Sequence, residues 1–314
     1  MVNIKKTRKG NGTYYYLQHA VRRGPKVKTK QVYLGRKIPS NIEEIKQDLL
    51  RKIYEEEWYS LFDQIKKRYS EDIKQRPPSS RIKELKMFAA RFTYNTQRIE
   101  GSKLTLRETI NLLEKGLTPS QERPEEDVLE ARAHEKVFYQ MLEYSRNKKR
   151  DLTYSLILDW HYELFHQTKS DIACKIRTYQ VGISGSEFKP PLPIEIYPML
   201  QDFFRWYTRN KNKIHPVELA ALAHLKFVTI HPFSDGNGRI SRLIMNFILS
   251  KKGYPMLDIK YEGRNRYYTA LERSQVKKTD NTFVQWLMKR YVKEYDQYLE
   301  RSNTGFTMFG GKAT

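Results

Sequence analysis

One cysteine, Cys174, among 314 residues excludes an internal disulfide framework and any thiolate zinc cage. No apolar run reaches the roughly 18 residues of a membrane span, so no bilayer partner is expected. The basic start MVNIKKTRKGNGTYYY is followed by no apolar stretch. No export signal is read there, and a reducing cytoplasm is the expected location. The chain has no GxxxxGK(S/T) run, which argues against a P-loop nucleotidase, and no internal repeat. His161 and His166 stand five apart rather than the four of an HExxH zinc helix. Acidic residues are missing altogether from residues 1 to 42, which hold 11 Lys and Arg, half of the net charge of +22. Such a segment suits an acidic partner, nucleic acid included, or a plain solvated surface.

Residues 1–40 read as a small basic β module. Tyr14–Leu17 and Gln31–Leu34 are strand-like, Arg22-Arg23-Gly24-Pro25 offers a turn, and Gly10, Gly12 and Gly35 punctuate the ends. Residues 41–80 read as a helical linker region, opened by an Asn41–Glu44 capping pair, with Ile45, Leu49, Ile53 and Trp58 at helical spacing. Pro77-Pro78-Ser79-Ser80 marks a break before the main domain at 81–302, and 303–314 reads as a flexible tail. Within that domain Ile82, Leu85, Phe88 and Phe92 form an apolar stripe that ends near Gly101, and Thr105–Glu108 is a capping box. Helical patterns then cover 126–146, 152–167, 194–210, 215–229, 238–252, 263–274 and 281–300. The exception is Val181–Phe188, which reads as a tight hairpin. The fold class is therefore mainly α, with a hairpin flap and an N-terminal β module.

The chemistry concentrates in HPFSDGNGRISR, residues 231 to 242. Two glycines around Asn237 let backbone N–H groups converge at the start of a helix, a nest for an anion. Arg239 and Arg242, three apart, can grip further phosphate oxygens. Asp235 is placed to hold Mg²⁺, and His231, neutral near pH 7, can take a proton from an attacking hydroxyl. His224 reads as a core residue beside Phe227 and Ile230.

This run resembles the Fic signature HPFx(D/E)GNGRxxR at every fixed position. The resemblance spans about residues 80–300 and implies a Fic-type helical bundle that moves AMP from ATP to a hydroxyl of a protein. It implies that His231 is the general base and that Asp235 holds the metal. Gly236, Asn237 and Gly238 would form the anion hole, with the Asn237 side chain on the α-phosphate, Arg239 on the β-phosphate and Arg242 on the γ-phosphate. Val181, Gly182, Ile183, Ser184 and Gly185 resemble the flap that aligns a target by strand addition. Asn265 and Tyr268 are similar in position to residues lining the nucleotide pocket, although core packing accounts for them equally well. Thr96 and Glu100, in TQRIEG, resemble the inhibitory motif (S/T)xxxE(G/N), whose glutamate would pair with Arg242 and exclude the γ-phosphate.

The resemblance covers neither residues 1–38 nor any C-terminal winged helix. The same residues serve removal of AMP from a modified protein, with Glu100 orienting a water. A third reading is a Fic-fold regulator that binds nucleic acid through residues 1–40. Against it stands the intact set of base, metal ligand, anion hole and arginines, which a scaffold has no reason to keep. The expected partner is a protein substrate, with self-modification and homodimer formation left open.

Overall fold

The computed structural model describes residues 2–23, 26–119 and 122–299. The expected turn at Gly24-Pro25 and the tail from 303 lie outside these residues. The chain forms two compact units, one running to Ile65 and including the segment from Tyr295, the other Lys66–Glu294.

The first unit opens with an antiparallel sheet in the order β1 (Val2–Lys9), β2 (Gly12–Arg23), β3 (Lys26–Gly35). Strand β1 carries Lys5, Lys6, Arg8 and Lys9, and this lack of apolar alternation is why its pattern is not strand-like. Leu17 and His19 on β2 are buried. Helix α1 (Ile42–Tyr54) follows and buries Leu49, Leu50, Ile53 and Tyr54. Its Asn41 contacts Glu44 side chain to side chain at 3.4 Å and does not cap the backbone. A wider π turn, Glu55–Tyr59, leads into α2 (Ser60–Gln75), within which the division between units falls. Pro77-Pro78 opens a helix rather than breaking the chain, because Pro78 takes the first helical position, where its missing N–H costs nothing.

The second unit is helical throughout: α3 (Pro78–Ile99), α4 (Leu106–Lys115), α5 (Glu125–Arg146), α6 (Tyr154–Phe165), α7 (Pro193–Asn210), α8 (Pro216–Ile230), α9 (Asn237–Lys251), α10 (Arg264–Val276) and α11 (Asn281–Glu294). The capping box is present at α4, where Glu108 N–H donates to Thr105 Oγ1 and Thr105 N–H to Glu108 Oε2. Along the expected stripe of α3, Ile82 is 57% exposed and Phe92 is buried. The N-terminal end of α3 therefore carries an apolar residue that the core does not use. The pattern at 281–300 ends early, at Glu294, and gives way to a 3₁₀ turn at Asp296–Tyr298.

Helices α8 and α9 are the axis of this unit. Val217, the run Leu219–Leu225 and Phe227 are buried on α8, and Ile240–Leu249 on α9. A helix apolar on all sides must be enclosed on all sides, and α7, α11, α5, α3 and α6 pack around the pair. Each buried Leu, Ile or Phe contributes about 1.5–3 kcal/mol. The short link between these helices is thereby held on two rigid supports.

The hairpin expected over Val181–Phe188 is not formed. A turn places Gly185 at φ 72° and brings Ser186 N–H to Ile183 O at 3.1 Å, with no ladder on its flanks. The returning arm includes Pro190 and Pro191, which have no N–H to donate, and Glu187 N–H is spent on Glu272 Oε1 at 2.7 Å.

Candidate active site

The 231–236 loop joins α8 to α9. His231 ends α8 in the left-handed region, φ 50° and ψ 56°. Its Nδ1 lies 3.2 Å from Val228 O; a carbonyl only accepts, so Nδ1 carries the proton and Nε2 is the bare acceptor of the neutral ring. Burial, helped by the Arg177 charge, moves its pKa below the ordinary histidine value, although the Val228 bond and the Glu100 and Asp235 charges oppose this. Neutral His231 is therefore the form present at pH 7.

Arg177 fixes the loop from outside. Its guanidinium is buried and donates to His231 O at 2.9 Å, Tyr179 O at 3.0 Å and Pro191 O at 2.7 Å. One side chain thus ties the His231 backbone to both ends of the segment that contains the expected flap. His161 fixes it from beneath. Its Nδ1 accepts from Cys174 N–H at 3.0 Å, so its Nε2–H donates to Asp235 O at 3.1 Å. Its ring stacks on Phe233 at 3.8 Å, and burial pushes its pKa down to about 4. Neither residue carries a sequence signal for this role: a histidine in WHYELFH and an arginine in KIRTYQ look like any others.

Asn237 closes the loop with its side chain. Its Oδ1 accepts from Phe233 N–H at 2.9 Å and its Nδ2 donates to Phe233 O at 2.8 Å. The amide thus shapes the loop, and the second hydrogen of Nδ2 is left over from these two bonds. Backbone groups at the start of α9 are also open to an anion. The first turn of a helix leaves N–H groups without intrahelical partners, and at α9 these belong to Asn237, Gly238 and Arg239.

The two glycines have different reasons. Gly236 sits at φ 82°, and a Cβ there would come within 2.5 Å of Phe165. A Cβ on Gly238 would collide with the Glu100 carboxylate. That carboxylate pairs with Arg242 Nη2 at 2.5 Å. Arg242 is 1% exposed and also donates to Thr96 Oγ1, Thr96 O and Tyr267 Oη, each at 3.3 Å. Burial works against its charge, and the Glu100 carboxylate more than restores it. Thr96, Glu100 and Arg242 thus meet, with α3 ending against α9.

Arg239 is also enclosed. It pairs with Glu130 and, at 2.8 Å, with Asp235 Oδ1, and its guanidinium lies 4.5 Å over the Phe165 ring. The side chain is 2% exposed and already matched by two carboxylates. These pairs brace α5 against the loop. Asp235 receives Gly236 N–H at 2.5 Å on Oδ1 and Lys169 at 2.8 Å on Oδ2. Burial would raise its pKa, but Arg239 and Lys169 hold the carboxyl well below the usual carboxylate range. Lys169 also reaches Glu126 at 2.8 Å and Glu130 at 3.3 Å.

Asp235 is thus an ionised hard-oxygen donor, which suits Mg²⁺. Among the described residues no group of three or more His, Cys, Asp or Glu converges as a ready cage. A single carboxylate completed by phosphate oxygens is the arrangement these residues fit. Tyr268 reaches from α10 to Ile99 O at 2.7 Å, beside Glu100, and burial with that charge pushes its pKa up to about 12. Asn265 is exposed, and His224 is buried against Ser241 and Tyr267.

Residues 151–249, spanning α6 to α9, match the family described as Fic/DOC. A protein adenylyltransferase Fic of Drosophila yakuba is 32% identical over 212 residues, 66% of this chain and 41% of its own length. The protein of the same name in Drosophila melanogaster gives the same figures, so the chain spans about two fifths of these relatives. A Fic domain containing signaling protein from Bacteroides thetaiotaomicron superposes with a TM-score of 0.67 at 28% identity, covering 75% of this chain and 96% of that one. Fic-1 from C. elegans shares the fold, with a TM-score of 0.69 at 24% identity over 82% of this chain and 75% of its own. With its loop held between α8 and α9 as described, and with similarity extending beyond that loop, the chain carries a domain of the Fic/DOC family.

Proposed function

We propose that the chain transfers AMP from ATP to a hydroxyl group of a target protein, and that Glu100 restrains it. The observation that carries the reading is His231 with Nδ1 committed to Val228 O, its bare Nε2 one loop away from the open N–H groups of α9. The target hydroxyl oxygen attacks the α-phosphorus while its proton passes to His231 Nε2. The bond from the α-phosphorus to the bridging oxygen breaks, and pyrophosphate leaves with that oxygen. The first-turn N–H groups of α9 and its dipole stabilise charge on the phosphate, with no reorganisation at the moment of reaction. Mg²⁺, held by Asp235 in exchange for Lys169, would neutralise charge on the α- and β-phosphates.

Glu100 supports the regulatory half. Its carboxylate occupies the Arg242 fork, which would otherwise suit a γ-phosphate, and puts a negative charge where that phosphate must sit. Misplacing the triphosphate by about 1 Å can cost ~10²-fold in rate. The outgoing flank of the turn, residues 181–183, forms no ladder, which supports alignment of the target there through backbone hydrogen bonds. A single cysteine and no described helix long and apolar enough to cross a membrane suit a cytoplasmic enzyme.

The test is incubation with ATP and a cell lysate, followed by mass spectrometry for the adduct. AMP on a Ser, Thr or Tyr side chain is expected from the parent, and at least about 10²-fold less from His231→Ala, since a general base contributes about 10²–10⁴. Equal labelling by both proteins would remove His231 from this role. Loss of AMP from a pre-labelled target, abolished by Glu100→Gly, would favour the reverse reaction.

A further inference from the structure

We propose that the outward face of the N-terminal sheet binds double-stranded DNA in the major groove. The proposal rests on the first unit alone and is independent of the nucleotidyl-transfer reading.

Cross-strand partners lie on one face of a sheet, so the register sorts the side chains. Ile4, Leu17 and Val32 share one face, as do His19 and Lys30. Leu17 is 0% and His19 3% exposed, and Lys30 pairs with Glu56 at 2.5 Å. That face is packed along β2, while Ile4 and Val32 on the edge strands stay exposed. The opposite face presents Asn3, Gln18 and Gln31 as one row across all three strands, then Lys5, Tyr16 and Tyr33 as a second, then Thr7 with Tyr14. The ring contacts of Tyr33 with Tyr16 at 5.2 Å and with Tyr14 at 6.4 Å bear out the shared face.

Exposed cations flank these rows on both edge strands. Lys5, Lys6, Arg8 and Lys9 lie on β1, Lys28 on β3, and Arg36 and Lys37 directly after it. Charged edges protect a sheet from pairing with other sheets, and lysines on β1 need no further reason. Edge protection does not account for three amides in register on the open face, nor for the lack of any Asp or Glu through residue 42. Strands spaced about 4.8 Å apart put the outer two about 10 Å from each other, against a major groove about 12 Å wide. Asn and Gln present the paired donor and acceptor that match an adenine edge, and flanking cations match the two phosphate rails. A single-stranded partner would need open rings to stack on. Here Arg36 lies 5.7 Å over Tyr14, Tyr16 is half-buried beside Tyr33, and of these three rings only Tyr33, at 54%, is exposed.

The experiment titrates the full chain into a fluorescein-labelled mixed-sequence DNA duplex of about 20 base pairs, reading anisotropy from about 50 to 200 mM KCl. Each phosphate contact adds about −0.9 to the slope of log affinity against log salt. Changing Lys5, Lys6, Arg8 and Lys9 together to Gln should flatten that slope by about 2 to 4. Changing the exposed Lys148, Lys149, Lys277 and Lys278 to Gln removes the same charge from the other unit and should leave the slope unchanged. Duplexes selected from a random pool by the parent should lose about tenfold in affinity for Gln18→Ala, Gln31→Ala, while unselected duplexes lose little. Lys6 and Arg8 lie on the face of Ile4 and Leu17, but like the other altered cations they are exposed, and an unchanged thermal melt confirms that the variants fold. No saturable binding, equal loss in both lysine sets, or tighter binding to a single-stranded RNA of the same length would overturn the proposal.

Discussion

Gly236 and Gly238 flank Asn237, one ending the loop and the other inside α9, and answer to different constraints. Gly236 holds a left-handed backbone and touches Phe165, so Gly236→Ala meets strain and collision together. An unfolding free energy lower by about 1–3 kcal/mol in urea is expected, and an unchanged midpoint would contradict the geometry. Gly238 leaves room for the Glu100 carboxylate, so its side chain is excluded by a residue from another helix. The protonation of His231 is set as locally. Burial and Arg177 put its pKa below the ordinary value, so the neutral base persists as pH falls through 6.5. The transfer rate should be flat near pH 7, with an acid limb whose midpoint lies below about 6.5. A midpoint above that value would show that the carboxylates, not burial, govern the ring.

Among the elements, the segment 177–191 depends on single side chains because it has no ladder of its own. Glu272 on α10 receives Ser186 Oγ at 2.9 Å and Glu187 N–H at 2.7 Å. Glu272→Ala should free the turn, raising amide exchange at residues 185–188 and raising the apparent KM for protein target several-fold with ATP affinity unchanged. Unaltered exchange there would mean that the turn is held by other contacts. The same segment shows where sequence reading stops. Val181–Phe188 has the glycines of a hairpin, but the Pro190-Pro191 arm and the Glu272 tether decide its form, and pattern carries only the first. The helices from α5 to α10 were legible to within about two residues because α8 and α9 are apolar and caps such as Thr105 are local. By contrast, α11 ends six residues before the expected limit and α3 begins inside the expected break. The loop residues of the site were legible as a set, and the partners that enclose them were not. Arg177, His161, Glu130 and Lys169 act across 54 to 109 positions of sequence, where spacing says nothing. Glu130 also makes Arg239 a brace to α5, which spacing could not announce. Strand β1 was missed because its exposed side chains are basic rather than alternating.

At the scale of the whole molecule, three histidines are buried in the uncharged form. His134 is pushed down to about 3 and His161 to about 4 by burial, and His224 lies well below the ordinary value for the same reason. Below pH 6.5 the unfolded chain takes up protons that these rings refuse, so stability falls as pH drops toward 4 and levels off above 6.5. Asp258, pushed up to about 7 by burial, works in the opposite direction, so parent and variant are best compared at each pH. The stability advantage of the parent over His161→Gln should shrink by roughly 2–3 kcal/mol between pH 7 and pH 4.5. A constant difference would mean that His161 is not held neutral. The loop that His161 supports is the one on which the proposed transfer depends, and Glu100 is the group proposed to hold that transfer back. The most direct measurement compares Glu100→Gly with the parent, each incubated with ATP labelled at the α- or the γ-phosphorus, and reads protein-bound label. Strong incorporation from the α position alone, well above the parent and lost in Glu100→Gly, His231→Ala, is the predicted result. Incorporation from the γ position, or no gain from Glu100→Gly in a folded protein that binds ATP, would contradict the account.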